Sequence, residues 1–186
     1  MQSDMFHYIP NFMNKEEQSE LLTYLEASHF IPAPQFTPNS VSREQKWFNK
    51  KKEYFCPTWK KRFPQWESFD VDSTIMLLMN KMQELVNNKT DINSCLINKY
   101  LTGKHFIAPH RDSLDSFGPE PTIIILSLGA TRTLLFENDM EKFSFDLENG
   151  SVFIMSGKSQ ETYLHSIQKS DCTDVRYSLT FREFIL

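Results

Sequence analysis

The seven residues Arg176-Tyr177-Ser178-Leu179-Thr180-Phe181-Arg182 have the strict alternation of a β-strand. Every second residue is apolar, so one face of this strand is suited to a hydrophobic core. The opposite face carries two arginines that bracket two hydroxyl groups. That face either meets solvent or lines an interior, where two buried guanidinium groups would need anionic partners. A dicarboxylate ligand would supply such partners.

Upstream of this strand the sequence consists of short apolar runs of strand length, separated by turn residues such as Gly103, Gly129 and Asn149-Gly150. The runs are 95–101, 105–109, 122–128, 132–137, 143–147, 152–156, 161–167 and 175–184. Many short strands with regular turns are typical of an antiparallel sandwich or jelly roll. We therefore predict a mainly β (α+β) fold.

Two helices are expected before these strands. Asn14 and Glu17 have the spacing of a capping box, which predicts a helix over 15–28. A second helix begins near Asp72 and ends at Asn87-Asn88. We expect both to pack on one sheet. Between them, 31–69 has no clean periodicity and indicates an irregular or hairpin-forming surface segment.

The length of 186 residues fits a single domain. We divide it into residues 1–91, with the helices and a basic, aromatic segment, and 92–186, the β core. The hydrophobic fraction of 40% is enough for a real core, and no apolar run reaches the roughly 18 residues of a membrane helix. Three scattered cysteines support neither a disulfide framework nor a zinc site. The N-terminus lacks a secretory signal pattern. We expect a soluble, intracellular monomer of the cytoplasm or nucleus, neither secreted nor membrane-bound.

Charge is unevenly distributed along the chain. The formal net charge is −4, but the segment 43–62 contains eight basic residues against two acidic ones. Aromatic residues such as Trp47, Phe48 and Trp59 are interleaved with these cations. Basic side chains with interspersed rings suit phosphate neutralisation and base stacking. The alternative is a solvated basic face whose aromatic residues belong to the core.

One group of residues has the composition of a metal site. In an extended segment His110 and Asp112 lie on the same face, because side chains alternate along a strand. His165 lies in a distant strand-like run that an antiparallel barrel could bring opposite them. Two imidazoles and one carboxylate form the facial triad of non-haem Fe(II) sites. The alternative is a surface pair and an unrelated histidine, because short motifs often occur by chance.

Asn98 and Tyr100 fall on one face of another strand, where an amide and a phenol can donate to carboxylate oxygens. Taken together, these motifs resemble the AlkB family of Fe(II)- and 2-oxoglutarate-dependent dioxygenases over about residues 93–184. The motifs are Asn98-x-Tyr100, His110-x-Asp112, Leu126-Ser127-Leu128-Gly129, Gly150-Ser151, His165 and Arg176-x5-Arg182.

The resemblance implies a double-stranded β-helix, that is, a jelly roll. It implies that iron is held by His110, Asp112 and His165. It further implies that 2-oxoglutarate is held by Asn98, Tyr100 and Arg176, with Thr180 and Arg182 on the same strand near its other end. O2 would be the oxidant. The implied activity is oxidative demethylation of N-alkylated bases in DNA or RNA, with release of formaldehyde, succinate and CO2.

The resemblance also implies a nucleotide-recognition lid that begins near Arg43. Because a base inside a duplex cannot reach a buried metal, the target base must be flipped out or single-stranded. Trp47 and Phe48 are the candidates to sandwich it. Some family members carry an acidic residue two positions after the iron-binding aspartate. Here that position is Leu114, and Asp115 is the candidate replacement.

Two other functions remain open at this point. One is a 2-oxoglutarate oxygenase that acts on a protein side chain, for which the basic and aromatic segment has no obvious use. The other is a barrel that binds nucleic acid without catalysis, for which a complete ligand set has no obvious use.

Overall fold

The computed structural model describes residues 5–32, 43–56, 60, 67–87 and 89–186. The strands are β1 (Phe6–Ile9), β2 (Ile31–Pro32), β3 (Glu44–Asn49), β4 (Ser94–Tyr100), β5 (Ile107–His110), β6 (Ile123–Gly129), β7 (Arg132–Glu137), β8 (Lys142–Leu147), β9 (Ser151–Met155), β10 (Leu164–Ile167) and β11 (Arg176–Arg182). The helices are α1 (Lys15–Ala27), α2 (Ser73–Leu85), α3 (Leu114–Phe117) and α4 (Ser159–Thr162).

The strands form two antiparallel sheets. The larger has the order β1-β9-β6-β11-β4-β3-β2, and the smaller has the order β5-β10-β7-β8. Strands that are distant in sequence are neighbours in both sheets, as a jelly roll requires. The prediction of a mainly β jelly roll with some helices is confirmed.

Helices α1 and α2 cover the outer face of the larger sheet. The capping box predicted for α1 is present, with Glu17 N donating to Asn14 Oδ1 and Asn14 N donating to Glu17 Oε2. Leu21 and Leu25 of α1 join Ile75 and Met79 of α2 in one core cluster with the apolar face of the sheet. The prediction that the N-terminal helices pack on one sheet is confirmed. None of the described helices has the length and apolar character needed to cross a bilayer.

A second core lies between the two sheets and consists largely of aromatic rings. Phe6 and Phe136 pack with ring centroids 4.6 Å apart, and Phe145 and Phe153 pack at 4.8 Å. Tyr163 belongs to the same cluster. This packing accounts for the high phenylalanine content of a chain with few glycines, since large rings fill the space between sheets.

Two local expectations need correction, and β1 was not predicted. The segment 31–69 contains an antiparallel pair, β2 with β3, in agreement with the hairpin-forming alternative, but this pair extends the larger sheet beyond β4 and is not a separate surface segment. The run 161–167 is not one strand, because α4 precedes β10. A physical reason is that the chain must cross from β9 in the larger sheet to β10 in the smaller one, and a helical turn makes that change of direction. Strands from before and after residue 91 share one sheet, because β1 pairs with β9 and β3 pairs with β4. The division of the chain at residue 91 stays a prediction.

Arg132 is buried at the start of β7 and pairs with backbone carbonyls. Its guanidinium donates to the carbonyl oxygens of Thr102, Gly103, His105 and Gln168. These acceptors come from loops at two different places in the chain. The arrangement indicates that Arg132 anchors the loops rather than contacting a substrate.

We expect Arg132→Met to lower the free energy of unfolding by at least about 2 kcal/mol, because it leaves buried carbonyl groups without donors. Chemical denaturation of the two proteins measures this. Lys158→Met, at an exposed cation on the surface, is the control and should be near neutral. Equal stability of the Arg132 variant and the wild type would contradict the anchoring role.

Candidate metal and cosubstrate site

The three residues of the predicted triad meet in space. His110 ends β5 and His165 lies opposite it in β10, as directly paired residues of adjacent antiparallel strands. The two imidazole centroids are 4.2 Å apart. One candidate ligand atom each from His110, Asp112 and His165 lies within 4.8 Å of the others. Among the described residues this is the one group of three or more His, Cys, Asp or Glu side chains with metal-binding geometry.

The protonation states of the triad suit metal binding. Burial lowers the pKa of His110, and burial followed by the nearby His110 lowers the pKa of His165 to about 3. Burial alone would raise the pKa of Asp112, but Arg182, His165 and His110 outweigh it and lower that pKa. At neutral pH the site therefore presents two neutral imidazoles and a carboxylate, which are the states that ligate a metal.

A backbone contact determines the tautomer of His110. Its Nδ1 lies 2.9 Å from the carbonyl oxygen of Ala108, which can only accept, so Nδ1 carries the proton. Nε2 is then the free lone pair, 3.7 Å from Asp112 Oδ1. Such a contact to the non-ligating nitrogen orients a metal-binding imidazole.

Arg182 lies directly beside the carboxylate of the triad. Its Nε is 3.0 Å from Asp112 Oδ2, and both side chains are almost fully buried. The guanidinium also lies over the ring of Phe117, 4.5 Å from the centroid. Arg182 therefore holds Asp112 ionised and limits which of its oxygens can turn toward a metal.

Arg176, on the polar face of β11, is a buried cation whose donors are only partly used. Its side chain is 1% exposed, and Nη2 donates to Ser127 Oγ at 3.0 Å. Nε and Nη1 have no hydrogen-bond partner among the described residues. Burial lowers the pKa of this guanidinium and Tyr100 opposes that effect, but an arginine stays charged in a protein. A buried cation with two free donors is a site for a carboxylate.

Other predicted cosubstrate residues line the same interior face. Tyr100 pairs with Arg176 across β4 and β11, and its ring centroid is 5.2 Å from the guanidinium carbon. Asn98 pairs with Ser178, the residue two positions along. Thr180 is buried in β11 between Ser178 and Arg182. The donor sets thus fit an Fe(II) ion at the triad and a dicarboxylate that reaches Arg176.

A profile of the 2OG-Fe(II) oxygenase superfamily matches residues 5–182. The chain belongs to that superfamily. Membership implies Fe(II), 2-oxoglutarate and O2, and the His-Asp-His triad is the matching metal site. The protein is thus a dioxygenase-type oxidoreductase with an AlkB-like sequence.

The relatives agree with the AlkB resemblance. The chain is 33% identical over 117 residues to human alpha-ketoglutarate-dependent dioxygenase alkB homolog 3, which covers 56% of this chain and 40% of the human protein. It is 26% identical to Arabidopsis thaliana DNA oxidative demethylase ALKBH2 over 48% of this chain and 37% of that protein. The solved structure of OsALKBH1 superposes with a TM-score of 0.67 at 16% identity, covering 96% and 97% of the two chains. The chain thus spans well under half the length of the two curated relatives.

The prediction for Trp47 and Phe48 is wrong in its geometry. The two rings are 2% and 1% exposed, and they point to opposite faces of β3. Phe48 joins the core under α2, whereas Trp47 packs against Phe117 and Phe184. Neither ring offers a free face for a base. Alternation along β3 forces this result, because adjacent strand residues cannot sandwich one ligand.

The remaining substrate candidates are near the site. Arg43 immediately precedes β3, and its Nε donates to Asn98 Oδ1 at 2.7 Å. Asp115 is exposed in α3, and Leu114 beside it is 57% exposed. Trp59, Lys61 and Arg62 of the basic segment lie outside the described residues.

Sequence reasoning missed two buried glutamines at the site. Gln45 Nε2 donates to Asn98 Oδ1 at 2.7 Å. Gln160 of α4 accepts from the backbone N–H of Asp112 at 3.0 Å, and its Nε2 lies 3.3 Å from Met155 Sδ. Gln160 thereby connects the loop that carries Asp112 to the segment that leads to His165. A glutamine within a polar stretch of sequence gives no signal of burial, so these contacts required the structure.

We expect Gln160→Leu to weaken metal affinity about tenfold, because residues that orient a ligand contribute on that scale. Mn(II) titration of the metal-free protein measures this. Gln168→Leu, at an exposed glutamine on the following loop, is the control and should bind Mn(II) like the wild type. Wild-type Mn(II) affinity in the Gln160 variant would contradict the positioning role.

Proposed function

We propose that this oxygenase oxidatively demethylates N-alkylated bases in DNA or RNA, releasing formaldehyde, succinate and CO2. The observation that carries the proposal is the contact between the basic, aromatic segment and the helix that follows Asp112. The proposal also assigns a metal role to His110, Asp112 and His165, and a cosubstrate role to Asn98, Tyr100, Arg176, Thr180 and Arg182.

When bound, Fe(II) and 2-oxoglutarate would supply O2-dependent oxidation of a carbon–hydrogen bond. The residues of this chain set the geometry. His110, Asp112 and His165 would hold the metal through one ligand atom each, and a triad of this kind leaves further coordination positions for other ligands. Arg176 would pair with the carboxylate farthest from the metal, and Ser127 holds its guanidinium in place. Tyr100 covers the guanidinium and keeps water from it.

An N-methyl group is a chemically reasonable target for such a site. Hydroxylation of a methyl carbon on nitrogen gives a hydroxymethyl group, which leaves as formaldehyde and restores the unmodified base. The protein then needs only to bring that carbon close to the metal and exclude water.

The basic segment lies against the metal site through α3. Ser116 Oγ of α3 donates to the carbonyl oxygen of Phe55 at 3.2 Å, and the partly exposed ring of Phe55 packs edge-on against Trp47 with centroids 5.0 Å apart. Lys50, Lys51 and Lys52 are exposed directly after β3. Exposed cations on a segment that contacts α3, the helix that follows Asp112, suit a nucleic-acid backbone whose base enters the site.

Phe55 is the ring that this arrangement favours for base contact in place of Trp47 and Phe48. It is only partly buried, follows the exposed lysines in the chain, and packs against the ring of Phe117 in α3 with centroids 6.0 Å apart. Stacking on one such ring is worth about 1–3 kcal/mol per base. The name of the Arabidopsis relative, a DNA oxidative demethylase, supports a nucleic-acid substrate.

Arg176→Met should reduce 2-oxoglutarate affinity by at least about 100-fold, because it removes the buried cation that would pair with a carboxylate. Mn(II) affinity should stay within about threefold of wild type, since Arg176 is not a metal ligand. Calorimetric titrations with Mn(II) and then 2-oxoglutarate measure both. The Asp112→Ala variant is the complementary control, because it removes a predicted metal ligand and should therefore lose Mn(II) binding itself. Equal loss of metal and 2-oxoglutarate binding in the Arg176 variant would contradict the assignment.

The substrate proposal predicts formaldehyde release from methylated oligonucleotides. We expect the Fe(II)- and 2-oxoglutarate-loaded protein to release formaldehyde from DNA or RNA strands with N-methylated adenine or cytosine, in step with succinate. Unmethylated strands should give none. Because phosphate contacts dominate binding, the Michaelis constant should rise steeply with salt.

A double variant, Lys50→Ser with Lys51→Ser, separates substrate binding from oxygen chemistry. It should raise the Michaelis constant for oligonucleotide several-fold while leaving substrate-free 2-oxoglutarate turnover unchanged. If the wild type consumes 2-oxoglutarate but releases no formaldehyde from any methylated strand, nucleic-acid demethylation is excluded and a protein side chain becomes the better substrate class.

A further inference from the structure

The oxygen and the nitrogen of the Asn98 side-chain amide have different hydrogen-bonding environments. Its Oδ1 accepts from Arg43 Nε and from Gln45 Nε2, both at 2.7 Å. No described residue accepts a hydrogen bond from its Nδ2. Asn98 itself is almost fully buried in β4.

The pairing of strands produces this arrangement. Gln45 of β3 and Asn98 of β4 are directly opposite residues, and Ser178 of β11 lies on the other side of Asn98. All three therefore share the interior face that carries Tyr100 and Arg176. Arg43, two residues before Gln45 and just before the start of β3, donates to the same oxygen.

The donors leave one orientation for the amide. A guanidinium can only donate, so the atom of Asn98 that faces Arg43 must be the oxygen. Gln45 must then donate through its own NH2 group, and its Oε1 is left buried without a partner among the described residues. If the Asn98 amide were turned by 180°, its NH2 group would face the N–H of Arg43 and the NH2 group of Gln45, and none of the three could accept.

We propose that Arg43 and Gln45 are positioning residues that hold the Asn98 amide with its NH2 group toward the 2-oxoglutarate pocket. Asn98 then acts as a donor toward a carboxylate or keto oxygen rather than as a competing acceptor. The inference rests on the proposed cosubstrate site and adds two residues to its machinery. It gives Arg43 a role on the cosubstrate side in place of the nucleotide contact predicted from sequence.

A substitution of Gln45 by its own acid tests the orientation. In Gln45→Glu, a carboxylate replaces the amide. It can draw the Arg43 guanidinium away from Asn98 into an ion pair, and it can accept from Asn98 Nδ2. Asn98 is then expected to turn and present its oxygen to the pocket. We expect 2-oxoglutarate affinity, measured with Mn(II) bound, to fall about tenfold. Mn(II) affinity itself should be unchanged, because Gln45 does not contact the triad.

Gln45→Met provides the uncharged comparison. It removes one donor from Asn98 but leaves Arg43 in place, so the amide keeps its orientation with less restraint. We expect a loss of about two- to threefold in 2-oxoglutarate affinity, well below the effect of the acid. Gln18→Glu is the matched control, because Gln18 also makes two hydrogen bonds through its amide, to Met13 and Asn149, far from the site. It should bind 2-oxoglutarate like the wild type.

A double-mutant cycle with Asn98→Ala separates action through the amide from a direct effect of the new charge. If Gln45 acts through Asn98, Gln45→Glu should change 2-oxoglutarate affinity by no more than about threefold in the Asn98→Ala background. The same tenfold loss in both backgrounds would overturn the inference, as would wild-type affinity in the single Gln45→Glu variant.

The same measurements distinguish a failure of the proposed cosubstrate site from a failure of the positioning role alone. If Asn98→Ala and Arg176→Met both bind 2-oxoglutarate as tightly as wild type, the proposed cosubstrate site is wrong and the inference falls with it. If both weaken binding but Gln45→Glu does not, the site stands and only the positioning role is lost.

Discussion

The structure is organised around the buried positive charge of Arg176, which forms no ion pair with any of the described residues. Arg176 lies inside the jelly roll with two of its donors free of protein partners among the described residues. A cation in such a place is costly unless a ligand completes it. Arg182, six residues along the same face, shows the contrasting case, because Asp112 pairs with it directly. Strand β11 thus carries Arg182, which pairs with the carboxylate of the triad, and Arg176, whose Nε and Nη1 have no partner among the described residues.

The metal triad depends on strand pairing rather than on sequence proximity. His110 and His165 are 55 positions apart, yet they are direct partners across β5 and β10. Asp112 is brought in by the chain that leaves β5, and Gln160 holds its backbone from the side of β10. The site is therefore a junction between two neighbouring strands and their connections. This explains why a buried glutamine with no chemistry of its own lies next to the ligands.

The substrate side of the molecule differs most from what the sequence indicated. Rings interleaved with cations suggested a stacking platform, but β3 lies between β4 and β2 in the larger sheet, and both Trp47 and Phe48 are buried. Pairing with β4 also brought Arg43 and Gln45 onto Asn98, so part of the expected nucleotide segment makes hydrogen bonds inside the protein. Phe55 and the lysines after Asn49 remain as the surface part of that segment.

The sequence by itself indicated the β fold and the two packed helices, and its resemblance to the AlkB family identified the triad, including the distant His165. Strand alternation, capping spacing and a His-x-Asp motif are local patterns that a chain expresses whatever surrounds it. Only the tertiary structure decided which rings are buried, which amides orient Asn98 and Asp112, and that Arg132 anchors loops. These outcomes depend on which strand lies beside which. A hydrogen bond between β3 and β4, or between α4 and the loop after β5, joins residues whose separation along the chain carries no information about their contact.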